Sequence, residues 1–216
     1  QLMSKAVDKG NQADAEQMLN YSVKIFLFVA IPYMFGSIVF GKSILALLAN
    51  DEIAQNAYYV IPIISLGTIF CGINMFLSNV LFVQQKTSAI LKINVLAAVF
   101  NMTANFILLY YFRSINVAAM TTVLSYLIVF VYIDNIVKRY WSIDYSIALI
   151  IKLIISSVIM IISIIVIKRI IGESNSVALL LFEFAFGVGI YFCGLFLLKA
   201  FSRSEISFLK SVVLRS

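Results

Sequence analysis

Three asparagines lie in one of the most apolar stretches of this chain, in the segment NVLAAVFNMTAN at positions 94 to 105. At about 100° per residue, a helix would place Asn94, Asn101 and Asn105 within roughly 40° of one another. Each amide offers two donors and an acceptor with two lone pairs, and in an apolar segment these groups need polar partners. This stripe is therefore the first candidate for a functional site.

The apolar segments on either side of the stripe carry further amides and hydroxyls. Burying such groups in a membrane is costly and is usually tied to packing or to a transport path. Two explanations stay open, namely hydrogen bonds between helices, each worth about 0.6 to 2 kcal/mol, or a water-accessible cavity. The candidate substrate-path residues are Asn74, Asn79, Asn94, Asn101, Asn105, Thr121, Thr122 and Ser125.

A few charged residues also fall inside the apolar segments. Lys152 and Glu183 lie about two turns into their segments, and each is a candidate to touch a substrate or a coupling ion. Lys92 lies close enough to a segment end to extend its ammonium to the surface. Asp134 and Lys138 have the i,i+4 spacing of an ordinary helical ion pair, so we interpret Lys92 and Asp134 as structural.

The composition is that of a membrane protein. The chain is 62% hydrophobic and 12% charged with a mean hydropathy of +1.03, whereas soluble domains are about 45–50% apolar and about 25% charged. Histidine is absent, and with it the commonest general base and metal ligand. No nucleotide-binding fingerprint occurs. We therefore predict a protein that is not an enzyme, with no cofactor and no metal site, and the scattered basic residues indicate no nucleic-acid partner.

Apolar runs long enough to cross a bilayer recur along the chain, so we predict an all-α polytopic membrane protein. The first two spans contain Pro32 and Pro62 and are the ones expected to be kinked. Short connections make neighbouring spans antiparallel. The six predicted spans are 22–48, 57–83, 88–110, 115–137, 144–168 and 177–199.

The distribution of Lys and Arg predicts the orientation in the membrane. Eleven of these residues fall on one side of the spans and four on the other, with Lys152 left aside. The positive-inside rule places both ends of the chain in the cytoplasm. The polar opening has neither an initiator Met nor a signal peptide, so we expect the chain to be part of a longer protein.

One long segment resembles a known family. In QQKTSAILKINVLAAVFNMTANFILLYYFRSINVAAMTTVLSY, a Lys-Thr pair opens a helix, two asparagines four apart close it, and a short outer turn leads to Ala-Ala, Thr and Ser-Tyr. This order resembles the C-terminal half of Wzx-type polysaccharide flippases, in the superfamily that includes the MATE drug antiporters. LMSKAVDKGN and VAIPYMFGSIVFGKSILALL resemble the family's segment before its ninth helix and that helix. The family's two turn glycines are Ser114 and Val117 here. The matching residues are Lys86, Thr87, Asn101, Asn105, Ala118, Ala119, Thr122, Ser125 and Tyr126.

The resemblance implies a domain layout. Residues 1–21 would be a cytoplasmic polar segment, 22–137 four helices forming most of the C-terminal lobe of a MATE-like fold, 138–200 two additional helices, and 201–216 a cytoplasmic tail. The second and third spans would line a central cavity. The chain would then work with an N-terminal lobe of the same protein, in the inner (cytoplasmic) membrane of a bacterium.

The resemblance also implies an activity. Flippases of this kind move undecaprenyl-diphosphate-linked oligosaccharide units to the outer leaflet for O-antigen, capsule or exopolysaccharide assembly. Expected partners are this lipid-linked substrate, membrane lipids, and the polysaccharide polymerase and chain-length machinery. The amides and hydroxyls would form the sugar path, and Lys152 would be a cation for the diphosphate.

Three alternatives remain open from the sequence. A MATE-type multidrug antiporter on the same fold would need a carboxylate deep in the cavity, for which Glu183 is the candidate. A membrane-embedded polymerase or glycosyltransferase would need a sizeable outer loop, and the outer loops LANDEIAQNA and IGESNSV are short. A purely structural subunit is favoured if the asparagine stripe packs without water.

Overall fold

The computed structural model describes residues 7, 11–49, 51–171 and 177–200, and most of these are helical. Six of the helices are long and apolar enough to cross a membrane, which confirms the predicted all-α, polytopic architecture. The helices in the described part of the chain are α1 (Gln12–Leu48), α2 (Asp51–Ala57), α3 (Val60–Val83), α4 (Thr87–Phe112), α5 (Ile115–Val137), α6 (Ile147–Ile171) and α7 (Val177–Leu197).

The six long helices pack as a row. α3 packs against α5 on one side and α1 on the other, α4 packs mainly on α5, and α6 packs on both α1 and α7. The spatial order is therefore α4, α5, α3, α1, α6, α7. Helix α4 lies at one end of this row and is the most exposed, with only Ile93 and Ala97 buried among its residues. We call the side on which α1 begins the near side, and the side of the α4–α5 turn the far side.

The helix boundaries follow the predictions closely except at the beginning of the chain. The span predicted at 115–137 is α5 with the same bounds. Helix α1 begins at Gln12, ten residues before the predicted start of its span at 22, because the polar segment continues the helix. Pro62 lies in the first turn of α3, where its missing N–H would have had no helical partner, so it does not interrupt that helix. Pro32 lies inside α1.

A two-residue turn joins α4 to α5. Arg113 takes the left-handed conformation, with φ 47°, and its N–H donates to the carbonyl of Leu109 at 2.9 Å. Ser114 is extended, and α5 begins at the next residue. A residue in the left-handed conformation is a common way to end a helix. Arg113 therefore closes this turn although neither Ser114 nor Val117 is glycine.

Glycines allow close contact at two helix crossings. A Cβ added to Gly67 of α3 would lie 3.3 Å from Val123 Cγ2 of α5, and one added to Gly194 of α7 would lie 3.0 Å from Ser156 Oγ of α6. Small residues at such crossings let the backbones approach, which is how membrane helices gain packing energy.

On the near side, the loop between α5 and α6 is bound to the first turns of α1. The Asn20 amide donates to the Ser142 carbonyl at 3.2 Å and accepts from the Asp144 N–H at 3.0 Å. The Asp144 carboxylate lies 3.3 Å from the Lys24 ammonium, and the Ser146 N–H, followed by Lys24, lowers the pKa of Asp144 against the effect of desolvation. We call these contacts the loop clamp. Two further bonds belong to it, Ser142 Oγ to Glu16 Oε2 at 2.8 Å and Gln12 Nε2 to the Tyr140 carbonyl at 3.1 Å.

Candidate functional site

Two of the three stripe asparagines join two threonines in a hydrogen-bonded group between α4 and α5. The Asn105 Nδ2 donates to Asn101 Oδ1 at 3.0 Å, and Thr121 Oγ1 donates to Asn105 Oδ1 at 2.5 Å. Asn101 Nδ2 lies 3.4 Å from Thr122 Oγ1. We call these four residues the amide ladder. It ties the most exposed helix of the row to its neighbour.

The helical register explains why the amide ladder forms. Asn101 and Asn105 are one turn apart on α4, as are Thr121 and Ser125 on α5. The Asn105 side chain lies seven residues before the end of α4, or about 10 Å from the far-side turn. Thr121, 2% exposed, stands opposite it and also lies 2.9 Å from the Ala118 carbonyl. The polar groups thus satisfy one another within an apolar layer.

A second polar contact joins α3 to α5. The Asn74 Nδ2 donates to the Tyr126 carbonyl at 3.2 Å, and Asn74 is 7% exposed. Its Oδ1 is buried and has no hydrogen-bond donor in the described part of the chain. Ser125, beside Tyr126, donates to the carbonyl of Thr121 at 2.8 Å. The α3–α5 contact therefore includes an unsatisfied buried acceptor, which is a position where a water or a substrate hydroxyl would gain a bond.

The other two candidate amides face outward. Asn79 on α3 and Asn94 on α4 are both exposed, and within the described residues neither side chain makes a hydrogen bond. Asn79 lies about 6 Å and Asn94 about 10 Å from the near-side ends of their helices. The sequence stripe therefore divides into a hydrogen-bonded pair, Asn101 and Asn105, and an exposed amide at Asn94.

The first half of the sequence that forms these helices is similar to a known family. Residues 1–107 match the MatE family. This stretch is therefore similar to membrane transporters of the MOP/MATE superfamily. Together with the six apolar helices, the similarity indicates a multi-pass membrane protein. No curated protein matches the chain significantly.

The MatE match extends from the beginning of the chain into α4. It includes all five candidate asparagines, at positions 74, 79, 94, 101 and 105. It ends before the threonine half of the amide ladder and before α6 and α7. The segment that resembles transporters thus contributes one side of the ladder and both exposed candidate amides, Asn79 and Asn94.

Lys152 lies away from the MatE-matched amides. Its ammonium donates to the Lys199 carbonyl at 3.1 Å, just beyond the end of α7 and beside α6. A cation at this place satisfies a free carbonyl and complements the negative end of the helix dipole. The structure thus gives Lys152 a capping contact between α6 and α7.

Glu183 is also held outside the amide group. It is 5% exposed, and its Oε2 lies 3.5 Å from the Lys168 ammonium. The same ammonium lies 5.2 Å from the centre of the Phe40 ring, which belongs to α1. This buried ion pair therefore joins α6 to α7 next to α1.

Asp134 forms the ion pair that its spacing predicts. Its Oδ2 lies 2.7 Å from the Lys138 ammonium, and its Oδ1 accepts from the Tyr145 hydroxyl at 2.5 Å. The Lys138 ammonium also lies 5.4 Å from the Tyr145 ring centre. The carboxylate is thus fully engaged where the loop begins. Lys92 is exposed near the beginning of α4.

Two groups of contacts were missed by sequence reasoning. One is the loop clamp, which lies in a polar segment without hydrophobic periodicity. The other is a hydrogen bond at 2.8 Å from the Tyr191 hydroxyl of α7 to the Phe28 carbonyl of α1. A signal for the second was present, because Pro32 cannot donate to the carbonyl four residues earlier.

Proposed function

We propose that this chain forms part of a transporter that moves lipid-linked oligosaccharides across a bacterial cytoplasmic membrane. The main supporting observation is that two amides, Asn79 and Asn94, are exposed on long apolar helices and make no hydrogen bond within the described part of the chain. An amide facing hydrocarbon is costly, whereas an amide facing a hydrated sugar is satisfied. The MatE match supports a transporter, and the resemblance to polysaccharide flippases supports this substrate.

The chemistry of the substrate fits these groups. A sugar headgroup presents hydroxyls that both donate and accept, and amides are able to do the same. The polyprenyl tail needs only lipid beside the helices. The amide ladder would then fix α4 to α5 while Asn79, Asn94 and the unsatisfied oxygen of Asn74 meet the headgroup.

Transport by this proposal requires no covalent step. An N-terminal lobe of the same protein and the helices described here would rock about a site between them, in alternating access. Lys152 and Glu183 lie outside the proposed path, because Lys152 binds a helix-end carbonyl and Glu183 is paired with Lys168. Polysaccharide polymerase and chain-length proteins would act on the translocated unit.

The charges of α3, α4 and α5 do not favour a cation-coupled drug antiporter. The only carboxylate on these three helices is Asp134, and it is already bound by Lys138 and Tyr145. These three helices therefore offer no free carboxylate that could bind a coupling cation.

The test replaces the exposed amides in the intact gene product that contains this chain. Asn79→Leu and Asn94→Leu should lower surface polysaccharide and leave lipid-linked units on the cytoplasmic leaflet, at unchanged membrane abundance. Asn94→Gln, which keeps the amide, and Asn56→Leu, on the short helix α2, should behave like the native protein. Unchanged glycan with altered drug export after Asn94→Leu would refute the proposal.

A further inference from the structure

Three residues that weaken a helix lie within six positions of α1. Pro32 has no N–H, so it cannot donate the usual helical hydrogen bond to the carbonyl of Phe28, four residues earlier. Gly36 and Ser37 follow, and Ser37 Oγ donates to the Met34 carbonyl at 2.6 Å, a type of bond that often bends helices. Prolines and Gly/Ser pairs are the usual places where helices kink. We call residues 32–37 the α1 joint.

A hydroxyl from another helix donates to the carbonyl that Pro32 cannot reach. The Tyr191 hydroxyl donates to the Phe28 carbonyl at 2.8 Å, and Tyr191 is 3% exposed. It stands between Gly187 and Gly194 on one face of α7. These glycines contact α6, since a Cβ added to either would lie within 3.0 Å of an α6 side chain. The tyrosine is therefore held in a fixed position by the α6–α7 hairpin.

The hairpin is also bound to α1 on both sides of the joint. Beyond the joint, Phe40 contacts the Lys168 ammonium of α6 and the Phe184 ring of α7, whose centre is 6.2 Å away. Before the joint, the loop clamp binds the segment leading into α6 to the first turns of α1. Both halves of α1 are thus fixed to the same neighbour.

We propose that the α6–α7 hairpin sets the bend of α1 at Pro32, and that the Tyr191 hydroxyl is the group that closes this joint. Helix α1 packs on α3, which carries Asn74, so the bend of α1 determines how its two halves meet that helix. Tyr191 acts as a positioning residue through the Phe28 carbonyl. The proposal concerns the fold and does not depend on the substrate.

The experiment measures the bend directly, with the whole chain in lipid nanodiscs. Spin labels at Ile25→Cys and Ile44→Cys, both at exposed positions, lie on either side of the joint at about 28 Å along the axis. The free cysteines Cys71 and Cys193 are replaced in all variants. Pulsed electron resonance should give one narrow distance distribution for native Tyr191 and a broader, shifted one for Tyr191→Phe.

A double substitution separates the proposed role from ordinary packing. Pro32→Ala restores the N–H that donates to Phe28, so Tyr191→Phe should no longer broaden the distribution in the Pro32→Ala background. Tyr132→Phe, at an exposed position of α5, is the matched control and should leave the distribution narrow. If Tyr191→Phe leaves the distribution narrow, or broadens it equally with Ala at position 32, the proposal is wrong. If Tyr191→Phe alone does not fold, the proposal is supported when the Pro32→Ala, Tyr191→Phe double variant folds and gives a narrow distance distribution.

Discussion

At the scale of single residues, the asparagines of one sequence stripe have different surroundings. Asn105 both donates to Asn101 and accepts from Thr121, whereas Asn94 is exposed. The difference arises from the neighbours on α5, because Thr121 and Thr122 lie opposite only the far-side half of the stripe. A common helical face therefore does not imply a common role.

Asn105→Leu should lower the unfolding free energy in bicelles by about 0.6 to 2 kcal/mol, because it removes the hydrogen bonds that Asn105 makes with Thr121 and Asn101. Asn94→Leu is the matched substitution on the same helix and should change it by no more than about 0.5 kcal/mol. Steric-trap or SDS unfolding would measure both. Equal losses for the two variants would contradict the division between ladder and exposed amide.

The buried pair of Lys168 and Glu183 makes a different prediction. Their side chains are 18% and 6% exposed, so removing one partner leaves a charge without compensation. Glu183→Leu alone should destabilise by about 3 kcal/mol, whereas adding Lys168→Met should recover most of that loss. Thermal unfolding in detergent of Glu183→Leu, Lys168→Met and the double variant completes the double-mutant cycle. Independent, additive effects would show that the two charges do not stabilise each other.

At the scale of elements, α1 makes the most varied contacts. Its polar first turns bind the α5–α6 loop, its middle receives the Tyr191 hydroxyl, and its far-side half carries Phe40 beside the ion pair. The loop clamp explains why α1 begins ten residues before its predicted apolar span. The first turns of α1 are polar, and hydrogen bonds and an ion pair from their amide, carboxylate and ammonium groups bind them to the α5–α6 loop.

Asn20→Ala should release the loop, because it removes the bonds to both Ser142 and Asp144. A loss of about 1 kcal/mol or more would raise the population of the open loop about fivefold. Trypsin cleavage after the exposed Arg139 should accelerate by that factor. Gln17→Ala, on the same exposed stretch, should cleave at the native rate. If both variants cleave alike, Asn20 does not hold the loop.

At the scale of the whole molecule, hydropathy and charge predict the helical architecture well, but they do not predict the contacts between the helices. The bounds of α5 were predicted because Arg113 and Ser114 precede a mostly apolar segment and Lys138 and Arg139 follow it. The spacing of Asn101 and Asn105 predicts a shared face. The partners of Tyr191, Lys152 and Glu183 depend on which helices become neighbours in the row, and no local pattern specifies that.

The orientation of the row is the remaining whole-molecule prediction. Antiparallel neighbours put the beginning of α1 and the end of α7 on the same side, with the α4–α5 turn opposite. The excess of Lys and Arg predicts that the near side is cytoplasmic. Alkaline phosphatase fused after Ser114 should therefore be active in a bacterial host and inactive when fused after Arg139, whereas a fluorescent-protein fusion should show the reverse. The opposite pattern in both reporters would mean that the basic residues of this chain do not determine its insertion.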